Sequence, residues 1–187
     1  MKRRSFTLIE ILGVIAIIGI LAALGFAGYS YANNKAKETA TKGLITRLDA
    51  AFEFARQKSS FLPIAKDNFV TITIDEANHK VTIGTAEYKF DSNAKKAKKV
   101  ESEFCKHFIK AVEMDSMNRF MENGQVIDAW GKAVYYRYPG KLKNGGFDLI
   151  AAGSDGTFGS GEATTPPDSL DKYRDGTEWI CDDIANF

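Results

Sequence analysis

Phe6-Thr-Leu-Ile-Glu10-Ile-Leu-Gly-Val-Ile-Ala-Ile-Ile-Gly-Ile-Leu-Ala-Ala-Leu-Gly-Phe26 decides how the rest of this chain is read. These 21 residues carry one charge, Glu10. As a helix rising about 1.5 Å per residue they would extend ~31 Å, enough to cross the hydrocarbon core of a bilayer. Lys2, Arg3 and Arg4 come directly before them, so the positive-inside rule keeps the N-terminus cytoplasmic and sends the chain beyond residue 30 to the far side. A secretory signal would have a shorter apolar run and then a small-residue cleavage site. Leu21-Ala-Ala23 imitates such a site weakly, but the apolar run continues past it. A plain signal anchor fits the length and gives no reason for a carboxylate at Glu10. A buried helix of a soluble domain is disfavoured, because nothing in 187 residues could cover such a surface.

Glu10 is the informative residue. A carboxylate in a spanning helix costs about 2.5–3.5 kcal/mol on insertion scales, and such a residue is a functional-site candidate with an expected partner. Cleavage between Ser5 and Phe6 would create an α-amino group four residues before Glu10. In a bundle of such helices, one subunit's carboxylate could pair with a neighbour's amine. The two buried charges would then compensate each other only on assembly. Gly13, Gly19, Gly25 and Gly28 permit close helix–helix approach, and with no proline before Pro63 there is no sequence reason for a sharp kink.

Arg4-Ser5-Phe6-Thr7-Leu8-Ile9-Glu10 resembles the prepilin peptidase site of type IV pilins and type II secretion pseudopilins. The resemblance implies that prepilin peptidase removes a short basic leader on the cytoplasmic side and that the new N-terminal Phe6 is methylated. Ser5 stands where that family usually has glycine.

Beyond the apolar run, Ala36, Ala40, Leu44, Leu48, Ala51, Phe52 and Ala55 recur at three- and four-residue spacing, so residues 35–58 read as an amphipathic helix continuing the first. Pro63 ends it. Residues 69–75, 80–83 and 87–90 read as strands, with a turn over 75–79. Lysine-rich 91–99 reads as a solvated loop. Residues 101–121 read as a helix whose buried stripe is Phe104, Phe108, Val112 and Met117, with Cys105 beside it.

Composition excludes several functions. A net charge of +1 provides no global field for nucleic acid, and the aromatics are spread through expected strands rather than a base-stacking platform. His79 and His107, the two histidines, lie near no nucleophile or carboxylate motif, and GxSxG, HExxH and P-loop patterns are missing. The chain therefore reads as a non-enzyme. Cys105 and Cys181 are 76 positions apart, which matches no zinc or CxxC pattern. In an oxidising compartment they would form one disulfide, stabilising by roughly 4 kcal/mol in the chain-entropy picture; otherwise they are two unrelated buried thiols.

Asp128-Ala-Trp130-Gly131, leading into Tyr135-Tyr-Arg-Tyr138, is similar to the Asp-Pro-Trp-Gly stretch of major pseudopilins. Residues 146–156 look like their second strand and following loop, and Asp182-Asp183-Ile-Ala-Asn-Phe187 like their chain end. That resemblance implies calcium in the loop, with Ser154, Asp155, Asp182 and Asp183 as candidate ligands. Calcium takes six to eight oxygen ligands, which suits such residues. An insertion, 163–181, separates the loop from Asp182, and residues 60–125 match nothing in the family pattern.

The expected fold is α+β: a leader over 1–5, a transmembrane and filament-core helix over 6–30, and a pilin-like head over 31–187 with a small antiparallel sheet. The expected function is a structural pseudopilus subunit that drives protein export. It would be single-pass in the inner membrane, with its N-terminus cytoplasmic and its head in the periplasm or, after assembly, extracellular. Its partners would be copies of itself in a helical filament, other pseudopilins, prepilin peptidase and the inner-membrane assembly platform, with no nucleic acid. Two other readings are a type IV pilus subunit for adhesion, motility or DNA uptake, and a signal-anchored binding protein that never polymerises.

Overall fold

A computed structural model describes residues 8–65, 68–143, 145–159, 163–169, 172–175, 178–179 and 181–187. The chain divides after Ala36 into two compact units. Helix α1, Leu8–Ser59, belongs to both. In the first unit its side chains are exposed: Leu8, Ile15, Ile20, Leu24 and Phe26 all show more than half their surface. In water such a surface would be strongly unfavourable, at about 25 cal/mol per Å² of apolar area. Length and composition make this a helix able to span a membrane.

In the second unit, α1 turns a stripe inward. Leu44, Ile45, Leu48, Ala51, Phe52 and Ala55 are buried, with Thr41 at the head of the row. Ala40 is only partly buried and Ala36 is exposed, so the stripe begins later than the residue spacing predicts. Phe52 is the hub. Its ring lies 4.5 Å from Phe108, 4.6 Å from Tyr136 and 5.2 Å from Phe147. One α1 side chain thus joins a second helix to the sheet. At the end of α1, Ser59 Oγ–H donates to Ala55 O, and Ser60 takes φ +56°.

The sheet is antiparallel. Strands β1 (Val70–Asp75), β2 (Lys80–Ile83) and β3 (Ala86–Lys89) form a meander. Ile72 faces Ile83 and Ile74 faces Val81, and all four point into the core. On its other side β1 pairs with β6 (Tyr135–Arg137), then come β7 (Asp148–Ala151) and β10 (Ile184–Ala185). Short strands β4 (Met121–Glu122) and β5 (Gln125–Val126) attach to β1, and β8 (Arg174–Asp175) and β9 (Glu178–Trp179) form a separate ribbon. In the six-strand path β3 and β10 are therefore the two edges.

Helix α2, Lys96–Val112, packs on β2 and β3. It starts inside the stretch expected to be a loop. Ser102 Oγ accepts the Asp91 N–H at 2.9 Å and donates to Asp91 O at 3.0 Å, folding the preceding segment back onto the helix. The expected helix to residue 121 is also corrected. Glu113 at φ +53° ends α2, and α3 (Met114–Met117) and a 3₁₀ turn over 118–120 complete the run. All four residues of the expected stripe are fully buried despite that break.

Candidate functional site

Ser5 and Phe6 lie outside the described residues. Glu10 sits in the first turn of α1, exposed among Leu8, Ile9 and Ile11. A carboxylate there complements the positive end of the helix dipole.

The C-terminal candidates converge. β7 runs out at Ala151, and Gly153 then takes φ +70°. A Cβ on Gly153 would fall 2.2 Å from the Asp182 carbonyl oxygen, so only glycine lets the chain end lie so close. Asp182 Oδ2 accepts hydrogen bonds from Ser154 N–H (2.5 Å), Ser154 Oγ–H (2.6 Å) and Asp155 N–H (3.0 Å). Asp155 turns its two oxygens to Thr157 N–H and Oγ1–H. Asp183 points inward and accepts Gly159 N–H at 2.6 Å. Pairing of Ile184 with Ala151 brings these segments, far apart in sequence, to one place.

Burial raises the Asp183 carboxyl to about 6, and the nearby Asp182 and Asp155 charges add to this. The Cys181 contact and the Gly159 N–H act in the opposite direction. Ser154, Asp155 and Asp182 supply only oxygens, the donor type that calcium selects. No group of three His, Cys, Asp or Glu side chains among the described residues forms a ready metal cage.

The structure does not join the cysteines. Both are free thiols, and they occupy different cores. Cys105 is in the main cluster, its thiol donating to His79 O (3.1 Å) and Tyr88 O (3.3 Å). Burial pushes it up to about 11. Cys181 packs with the second cluster of Leu142, Ile150, Phe158 and Tyr173, and burial pushes it up to about 12. The histidines serve packing and turns. His79 occupies the β1–β2 turn at φ +46°, and His107 lies 3.3 Å from Glu103 and edge-on to Phe54.

Two arrangements explain sequence features. Asp128 Oδ1 accepts Trp130 N–H (2.8 Å) and Lys132 N–H (2.9 Å), closing the Asp-Ala-Trp-Gly turn, while Thr41 Oγ1 accepts Ala129 N–H and ties that turn to α1. Arg137 and Asp148, both fully buried, were not singled out from sequence. The Arg137 guanidinium lies 4.0 Å from the Phe69 ring centre and also reaches Asp168 in the insertion. A hydrogen bond from Lys141, helped by Arg137, holds the Asp168 carboxyl below its ordinary value.

Comparison with known proteins rests on both ends of this architecture. Residues 1–26 match the family described as the prokaryotic N-terminal methylation motif. The chain is 28% identical over 165 residues to Type II secretion system core protein G of Pseudomonas aeruginosa, covering 87% of this chain and 93% of that protein. The chain is thus similar to methylated prokaryotic precursors at its N-terminus and to core protein G along most of its length. The similarity to core protein G takes in the head as well as the N-terminal helix, including the Asp128 turn and most of the strands. No solved structure matches it.

Proposed function

We propose that this chain is a structural subunit of a type II secretion pseudopilus, stored in the inner membrane and polymerised through its N-terminal helix. The observation that carries this reading is the methylation motif over 1–26 combined with similarity to core protein G along most of both chains. The exposed apolar surface of α1 from Leu8 to Phe26 supports it, because that surface requires lipid before assembly and neighbouring helices after it.

Residues 6–30 span the membrane once, with the N-terminus cytoplasmic and the head in the periplasm. Prepilin peptidase cuts between Ser5 and Phe6, and the Phe6 amine is methylated. Glu10 pairs with the Phe6 amine of a neighbouring copy and fixes the helical register. Other pseudopilins and the inner-membrane assembly platform are the partners. The role is structural, with no reaction of its own.

Calcium is part of the proposal. Ser154, Asp155 and Asp182 would hold it, with Asp183 bracing the loop through Gly159 N–H. Bound there, a divalent cation would neutralise the repulsion among the three aspartates and lock the chain end to the β7 loop.

Intact-mass and N-terminal analysis of the protein from its native membrane tests the reading. A chain beginning at methylated Phe6 is expected. A chain still beginning at Met1, or cut after Ala23, would overturn it.

A further inference from the structure

Helix α1 changes character over a few residues. From Ile11 to Gly28 no side chain can form a hydrogen bond, whereas in Asn33-Asn34-Lys35 three consecutive side chains can. Tyr29 and Tyr31 stand between the two stretches, on an unbroken helix. Of the seven tyrosines, the five in the second unit are buried or half-buried, whereas Tyr29 and Tyr31 are 71% and 75% exposed.

The change runs along the helix and not around it. Successive residues are about 100° apart on a helix, so Tyr29 and Tyr31 point to nearly opposite sides, about 3 Å apart along the axis. Asn33, Asn34 and Lys35 likewise fan over more than half of the circumference, and all three are exposed. In the head, by contrast, α1 turns a single apolar stripe inward. A protein partner meets one side of a helix. A layered solvent meets every side alike at a given height, and that is the symmetry of residues 26–35. Tyrosine suits the boundary of such a solvent, since its ring is apolar and its hydroxyl donates to phosphate or ester oxygens.

The spacing adds a length. Tyr29 is 19 residues from Glu10 and Tyr31 is 21, which at 1.5 Å per residue is about 29–32 Å. A tilt of about 20° shortens this to about 27–30 Å. The hydrocarbon core is about 30 Å thick. With the tyrosines at one boundary Glu10 falls at the other, so the cost of a carboxylate at mid-span is an upper bound for it.

We propose that Tyr29 and Tyr31 form a collar that binds the headgroup layer of the periplasmic leaflet and fixes the depth of the stored subunit, holding Glu10 at the cytoplasmic boundary. The inference rests on the reading of the chain as a membrane-stored subunit. Lipid is the occupant because the collar continues the apolar surface of α1 from Leu8 to Phe26 without a break, and that surface already requires lipid. Held at this depth, the Glu10 carboxylate stays within reach of water and of the Phe6 amine of an adjacent copy, instead of being sunk among acyl chains.

The test uses the full chain in inverted inner-membrane vesicles, with Cys105→Ala and Cys181→Ala so that Ile11→Cys supplies the one thiol. A water-soluble maleimide then reports how far residue 11 stands in the cytoplasmic aqueous phase. In one variant the collar moves toward the N-terminus, by Leu24→Tyr and Phe26→Tyr with Tyr29→Leu and Tyr31→Leu. This is expected to push the helix about 7 Å toward the cytoplasm and raise labelling at least about fivefold. In the other variant the collar moves away, by Asn33→Tyr and Lys35→Tyr with the same two leucines. Residue 11 is then expected to sink about 6 Å, and labelling to fall at least about fivefold. Opposite signs separate a depth gauge from damage to the helix, which would change both variants alike. Unchanged labelling, or a change of the same sign in both, would overturn the inference. So would a photo-cross-linker in place of Tyr31 that labels protein and no lipid. Shifts of the expected signs in a chain that is never cut or polymerised would support the collar and overturn the polymerising role. A chain absent from the membrane fraction would overturn both.

Discussion

The Arg137 guanidinium and the Asp148 carboxylate form an ion pair closed off from solvent, with Nη2 2.5 Å and Nε 3.0 Å from the same Oδ2. Asp148 also accepts the backbone N–H groups of Lys141, Leu142 and Lys143, so it organises the 140–146 loop as well as neutralising Arg137. Asp168 approaches the same guanidinium from the insertion but is about half exposed.

That asymmetry predicts unequal mutants. Asp148→Ala strands a buried cation and three amide donors, and should cost about 3–5 kcal/mol. Asp168→Ala removes a solvent-screened partner and should cost less than about 1 kcal/mol. Urea unfolding of the two variants, followed by Trp fluorescence, measures both. Equal losses would show that the insertion is as firmly bound as the sheet.

Gly153→Ala is expected to open the chain end rather than unfold the head. Its Cβ would meet backbone atoms of Asp182, and φ +70° adds a strain of roughly 1–2 kcal/mol. Since Asp182 is held to Ser154 and Asp155 by three hydrogen bonds, residues 182–187 should detach while β1–β3 and α2 hold. Hydrogen exchange would show faster exchange at the Ser154 and Gly159 amides and unchanged protection in α2.

Much of this fold was legible because its apolar pattern is local. Phe104, Phe108, Val112 and Met117 keep helical spacing across a break that periodicity cannot detect, since Glu113 is a backbone event. Strands β1 to β3 read correctly to within one residue because Ile72, Ile74, Val81 and Ile83 alternate with polar neighbours. The Arg137–Asp148–Asp168 grouping and ribbon β8–β9 were not legible. They depend on contacts across an insertion, and two-residue strands leave no period to read. Cys105 and Cys181 mislead for a related reason: an even cysteine count suggests a pair, but it holds no information on which core each enters. Gathering of Asp182 with Ser154 and Asp155 was expected from a family likeness, and the β7–β10 register supplies its physical cause.

If calcium occupies the loop, its removal should loosen the same segment. The head is expected to melt several degrees higher in millimolar calcium than in chelator, as any ligand that binds only the folded state raises its stability. Asp155→Ala should abolish that difference, since it removes one of the two exposed carboxylates in the proposed donor set. Identical melting curves with and without calcium would remove the metal from the proposal and leave the aspartates as hydrogen-bond acceptors.

Glu10→Ala separates anchoring from assembly. The substitution makes the segment more apolar, by about 2.5–3.5 kcal/mol on insertion scales, so insertion should be undiminished. Processing at Ser5–Phe6 should continue, because the basic leader and the small residue before the cut are unchanged. Fibre yield should fall at least tenfold, since a fibre whose register depends on a carboxylate–amine pair would bury an uncompensated Phe6 amine in each copy, at several kcal/mol. Glu10→Asp, which keeps the charge on a shorter arm, should recover part of the yield. Quantifying sheared fibres against total membrane-bound protein in the three chains distinguishes these effects. Full yield from Glu10→Ala would mean that helix packing alone sets the register and that Glu10 plays no part in recruiting the next subunit.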